Sequence, residues 1–166
     1  VDEATYLEII RKKTASLFCS CVEVGGYAAG APEEQLRDLM AYAELLGTCF
    51  QIKDDIFDYF DNKEVGKPTG NDLREGKMTL PLIYALTRTD DPRHDEMVAL
   101  SHKDILNADE IATLIEYAKE QGGIDYAYST MERLKKQADE IISKYPQSES
   151  TDSFRLIFDY IIERKK

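Results

Sequence analysis

The sequence predicts an all-α protein, and three observations carry that expectation. Apolar residues recur at three- and four-residue steps through most of the chain, as buried helical faces require. No run shows sustained two-residue alternation bounded by hairpin turns, so strands are not expected. Glycine and proline gather at a few points between the periodic runs, where one helix ends and the next begins. With 166 residues and no repeat or low-complexity tract, the chain reads as a single helical domain over residues 1–166, long enough to bury its own core.

The first element runs from Tyr6 to Val24, with Tyr6, Leu7, Ile10, Leu17, Phe18 and Cys21 marking one buried face. The small residues from Gly25 to Ala31 then let a helix end approach a neighbour closely. Pro32 opens a second helix, and Glu33 and Glu34 sit at the positive end of its dipole. That helix extends to about Phe60, with Leu36, Leu39, Met40, Ala43, Leu46, Phe50 and Phe57 as its stripe and Gly47 on the same face. Val65-Gly66-Lys67-Pro68-Thr69-Gly70-Asn71-Asp72 has the composition of a loop. A further helix begins between Leu73 and Thr79 with Pro81 in its first turn, and Asp90-Asp91-Pro92 closes that section. Three more helices follow, Ala108 to Gln121, Ile124 to Lys144 and about Ser153 to Arg164, parted by Gly122-Gly123 and Tyr145-Pro146. Arg164-Lys165-Lys166 reads as a frayed basic tail.

Composition removes several function classes. Thirty-two acidic residues against twenty-one basic give a net charge of −11, which argues against a nucleic-acid partner. Any phosphate bound here needs a local site with its own cations. No segment approaches the roughly 18 apolar residues of a membrane span. Val1-Asp2-Glu3 opens directly into charged, helix-compatible sequence without a secretory leader, so a cytoplasmic protein with no stable membrane insertion is expected. The start on Val1 instead of Met suggests a processed or shortened chain. Cys19, Cys21 and Cys49 have no metal-ligand spacing and read as buried, reduced thiols. His94 and His102 read as surface residues, and Tyr117, Tyr126, Tyr128 and Tyr145 as core packing.

The chemistry concentrates at Gln51-Ile52-Lys53-Asp54-Asp55-Ile56-Phe57-Asp58. Asp54 and Asp58 are four apart and Asp55 and Asp58 three apart, so a helix projects all three to one side. Like charges held that close call for a cation between them. Mg²⁺ suits the set, because it takes one or two carboxylates and completes its shell with water and substrate phosphate. Interleaved Ile52, Ile56 and Phe57 argue for a cavity wall over a solvated helix end. Lys67, in Gly66-Lys67-Pro68-Thr69-Gly70, and Lys77, after Gly76, are lysines on flexible backbone that can bring positive charge to a diphosphate. No Walker A pattern is present.

These blocks closely resemble the trans-isoprenyl diphosphate synthases. Gly47-x-x-Phe50-Gln51-x-x-Asp54-Asp55-x-x-Asp58 and Gly66-Lys67-Pro68-x-Gly70-x-Asp72-Leu73-x-Glu75-Gly76-Lys77-x-Thr79-Leu80-Pro81-Leu82 are similar to the family's second aspartate-rich region. Tyr6-Leu7-x-Ile9-Ile10-x-x-Lys13-Thr14-Ala15-x-Leu17-Phe18 is similar to the helix before it. The pattern looks most like the C-terminal half of medium- and long-chain, octaprenyl-type polyprenyl synthases. The resemblance implies the helical isoprenoid synthase bundle and condensation of isopentenyl diphosphate with an allylic diphosphate. It also implies Mg²⁺ on Asp54, with Asp55 and Asp58 ligating directly or through water. Lys13, Lys67 and Lys77 would contact diphosphate oxygens, and Thr14 and Gln51 would lie beside the reacting carbons.

The first aspartate-rich region and its following Arg-Arg pair have no counterpart here. Asp90-Asp91-Pro92-Arg93-His94-Asp95 fits a loose version, but Pro92 puts it in a turn. The chain alone is therefore expected to have little activity, and its exposed helix faces to favour a homo-oligomer, a dimer above all. Two alternatives stand beside this reading: a terpene cyclase of the same fold, and a catalytically silent helical partner of a heteromeric synthase.

Overall fold

In the computed structural model, residues 1–60 and 69–165 are described, and they form helices and turns with no strand among them. The elements are α1 (Glu3–Ile10), one π-helical turn (Arg11–Ala15), α2 (Ser16–Ala28), α3 (Glu33–Phe57) and α4 (Asn71–Arg74). Then come α5 (Leu80–Ala85), α6 (His94–Ser101), α7 (Ala108–Glu120), α8 (Gly123–Ile142) and α9 (Glu149–Glu163). None of the described helices is long and apolar enough to cross a membrane.

The expected first helix is interrupted by the π turn, and this changes which residues it buries. One extra residue in a turn rotates everything downstream by about 100° relative to a continuous α-helix. Tyr6 and Ile10 are buried as expected, but the next fully buried position is Ala15. Leu17 is 67% exposed, and Cys21 lies outside the core with it. The expectation of three buried thiols is corrected on this ground, with Cys49 alone fully enclosed.

The chain divides into two compact units, one of Val1–Tyr6 with Asp54–Ser129 and the other of Leu7–Lys53 with Thr130–Lys166. In the first unit, α5 and α6 both pack on α7. The core there gathers Tyr59, Leu73, Leu82, Met97, Leu114 and Tyr117. Helix α7 starts at a capping box, in which the Asn107 side chain accepts from the Glu110 N–H and Glu110 accepts from the Asn107 N–H. Pro81 falls in the first turn of α5, where its missing N–H costs nothing. Helices α4 and α6 were not foreseen. The four residues of α4 are too few to show a period, and their order comes from a distant side chain described below.

In the second unit, Tyr42 is the packing centre. It is 1% exposed, its ring meets Phe154 and Phe158 edge-on, and its hydroxyl donates to the Phe154 carbonyl at 2.7 Å. Gly47 is required by contact: a Cβ there would lie 2.6 Å from Ala15 Cα, so α3 and the π turn meet backbone to backbone. The end of α9 and Arg164 are anchored, contrary to the frayed-tail expectation at Arg164. Buried Lys53 donates from Nζ to the Ile162 carbonyl at 2.6 Å, a cation at the negative end of α9. Arg164 donates to the Phe50 carbonyl at 3.1 Å, with its guanidinium 4.2 Å above the Phe50 ring.

Candidate active site

The three aspartates of the acidic motif lie at the end of α3 and just beyond it, in the first unit. Asp54 is half-buried. Asp55 is only 6% exposed, and its Oδ2 accepts the Tyr6 hydroxyl at 2.7 Å. Burial, followed by the charge of Asp55, pushes the Tyr6 phenol far above its ordinary range, so it remains a donor at all working pH. Asp58 accepts the backbone N–H of Asn71 at 3.0 Å on Oδ1 and that of Asp72 at 2.9 Å on Oδ2. One carboxylate thus organises the first turn of α4.

That turn leads to Lys77. The Lys77 N–H donates to the Asp72 carbonyl at 2.8 Å, so Asp58, α4 and the start of the lysine segment form one hydrogen-bonded series. Gly70 enters it at φ 76°, with the Ile111 side chain where a Cβ would stand. The Lys77 ammonium is exposed and pairs with Glu75, whose hydrogen bond raises its pKa. Lys67 lies outside the described residues.

In the second unit the π turn carries three consecutive cations. Arg11 pairs with Glu44 and Lys12 with Glu8, while Lys13 is exposed and makes no ion pair among the described residues. Next to it, Thr14 Oγ1 donates to Gln51 Oε1 at 2.6 Å. Two residues 37 apart in sequence are thereby joined, and the bond fixes the direction of the Gln51 amide. Single π turns inside α-helices recur at functional sites because they re-aim side chains.

Sequence reasoning named the acids as candidates but not the groups that bond to them. Tyr6 registered as a face residue, and nothing in its spacing announced a hydroxyl aimed at Asp55. At the turn Asp90-Asp91-Pro92, Asp91 accepts from Arg93 and from Gln121 at 2.6 Å, and the Arg93 bond lowers its pKa.

Among the described residues, no three His, Cys, Asp or Glu side chains are gathered closely enough to hold a metal ion by themselves. The donor set nonetheless fits Mg²⁺, which needs only one or two carboxylates beside water and phosphate oxygens. Adjacent Asp54 and Asp55 at a helix end supply hard oxygens, and one of these carboxylates is already oriented by Tyr6.

The family model of polyprenyl synthetase matches residues 1–118. Heptaprenyl diphosphate synthase component 2 of Geobacillus stearothermophilus is 35% identical over 161 residues, covering 96% of this chain and 49% of that protein. A crystal structure of geranylgeranyl pyrophosphate synthase from Bacteroides thetaiotaomicron superposes with a TM-score of 0.89 at 41% identity, over 99% of this chain and 53% of that one. A polyprenyl synthase from Caulobacter crescentus, complexed with calcium and isoprenyl diphosphate, gives a TM-score of 0.86 at 29% identity, over 100% of this chain and 51% of that one. The chain spans about half the length of the curated relatives it matches. It has the helical isoprenoid synthase fold and belongs to the polyprenyl synthetase family.

Proposed function

We propose that this chain supplies one diphosphate-binding wall of a prenyltransferase that condenses isopentenyl diphosphate with an allylic diphosphate. The observation that carries the proposal is the Thr14–Gln51 hydrogen bond. It brings together two motif residues 37 apart in sequence, one of them next to Lys13. Asp54 and Asp55 would hold Mg²⁺, which on binding neutralises charge on the diphosphate. Lys13, Lys67 and Lys77 add positive charge for diphosphate oxygens, with Lys77 exchanging Glu75 for the ligand. In the reaction the allylic C–O bond breaks with its electron pair on the departing diphosphate. The isopentenyl double bond then attacks the allylic carbon, and a proton is lost. The Gln51 amide, oriented by Thr14, offers a fixed dipole to the developing allylic cation, so the chain's contribution is electrostatic preorganisation.

Calorimetry on the protein expressed from its complete reading frame tests the site. Inorganic diphosphate is expected to bind with Mg²⁺ and to lose that binding in Asp54→Ala. Equal binding in the variant, or without Mg²⁺, sinks the assignment.

A second reading is favoured by the name of the Geobacillus relative, one component of a synthase. Exposed Leu17, Val24 and Tyr27 on α2 also suit contact with further polypeptide. On this reading the chain acts within a multi-component assembly, either as a second copy or beside a different chain. Light scattering on the purified protein separates monomer from self-assembly. Activity that requires a second gene product would favour the heteromeric form.

A further inference from the structure

We propose that Tyr6 is a positioning residue for metal and diphosphate binding, acting through Asp55. The inference rests on the functional reading above, because it concerns how the acidic motif is held ready. Tyr6 is 4% exposed and Asp55 6%, and they are 49 residues apart. Their 2.7 Å contact has the short length of a hydroxyl donating to a carboxylate.

The phenol is itself held from behind. In the turn before it, the Glu3 carboxylate accepts the Tyr126 hydroxyl at 3.0 and 2.8 Å, and the Tyr126 ring stacks on Tyr84 at 4.1 Å between centroids. The Tyr6 N–H donates to the Asp2 carbonyl at 2.9 Å, completing the first turn of α1. This series runs from aromatic packing through an ion-dipole contact to a single motif oxygen. The neighbouring Tyr59 hydroxyl is committed elsewhere, to Thr79 at 2.9 Å and to the Leu82 N–H at 3.3 Å.

Holding Oδ2 fixes the plane of the Asp55 carboxylate. A carboxylate held in one orientation need not be ordered when a cation arrives, and such outer partners commonly account for about 10- to 100-fold in metal affinity. Packing alone would bury the Tyr6 ring equally well without its hydroxyl, so Tyr6→Phe isolates the bond.

The test is Mg²⁺ calorimetry in saturating inorganic diphosphate, on the complete protein and on Tyr6→Phe, Asp55→Asn, their double variant and Asp54→Ala. Tyr6→Phe is expected to weaken Mg²⁺ binding by about 10-fold or more, and to add no further loss in the Asp55→Asn background. An equal loss in both backgrounds would mean a merely structural role and overturn the proposal. So would full affinity in Tyr6→Phe when Asp54→Ala has lost it. Full affinity in Asp54→Ala would instead overturn the functional reading, and this inference with it. Should Tyr6→Phe not fold, the carbon resonance of the Tyr6 phenol in the unaltered protein decides. It is expected to move with the calorimetric midpoint as Mg²⁺ is added, and an unmoved resonance at saturation overturns the proposal.

Discussion

Cys49 is enclosed on α3, and burial pushes its thiol up to about 12, whereas Cys21 on α2 is exposed. Thiolate is the reacting form, and access limits the reagent as well. Iodoacetamide at pH 8 should therefore label Cys21 in the folded protein and reach Cys49 only after denaturation, as followed by peptide mass spectrometry. Equal labelling rates would contradict the packing around Cys49. Asp58 gives a second residue-scale prediction. It accepts two backbone N–H groups, and asparagine keeps a single acceptor oxygen, so Asp58→Asn should cost about 1–3 kcal/mol in denaturant unfolding. The amides of Asn71 and Asp72 should exchange faster in that variant. The acids stand out as candidates in the sequence, because their spacing and apolar neighbours are local. Tyr6 on Asp55 and the Ile162 carbonyl on Lys53 were not, since pairs 49 and 109 residues apart leave no mark in a single sequence.

At the scale of elements, helices were legible wherever a 3.6-residue period persisted, as in α3, α7, α8 and α9. The π turn escaped because Tyr6, Ile10, Leu17 and Cys21 look like one continuous stripe, and only burial reveals the change of phase. Gly47 tests the contact that follows that turn. Gly47→Ala drives a methyl into Ala15 and should destabilise by about 1–3 kcal/mol. Gly25→Ala, with nothing within 4 Å, should gain up to about 1 kcal/mol from helix propensity. Denaturation curves that move both variants the same way would dismiss the backbone contact. The tie between α3 and the end of α8 titrates. Bonds from Lys144 and Tyr145 lower the Asp38 pKa below its ordinary 3.8. A lowered carboxylate contributes stability above its unfolded value and loses it as pH falls through the folded one. Asp38→Asn should thus be less stable than the parent at pH 7, with the gap closing below about pH 4. A gap that widens in acid would reverse the sign.

For the whole molecule, the order of motifs made fold and family legible, while the division into two units was not. Its edges fall inside α1, after Tyr6, inside α3, after Lys53, and inside α8, after Ser129, where helical periodicity continues without a break. Global charge shapes the last prediction. At −11 the chain repels polyanions, so inorganic diphosphate should stabilise it only through a local site charged by Mg²⁺. Ligand that binds the folded state alone raises stability by about 2.7 kcal/mol at a hundred times its dissociation constant. Mg²⁺ and diphosphate together should therefore raise the thermal midpoint by several degrees, and each alone should do so far less. The rise should disappear in Asp54→Ala and persist in Lys103→Ala, a surface cation remote in sequence from the motifs and paired with Glu110. Diphosphate that raises the midpoint equally without Mg²⁺ would show that the lysines bind it unaided, and the aspartates would lose their assigned part.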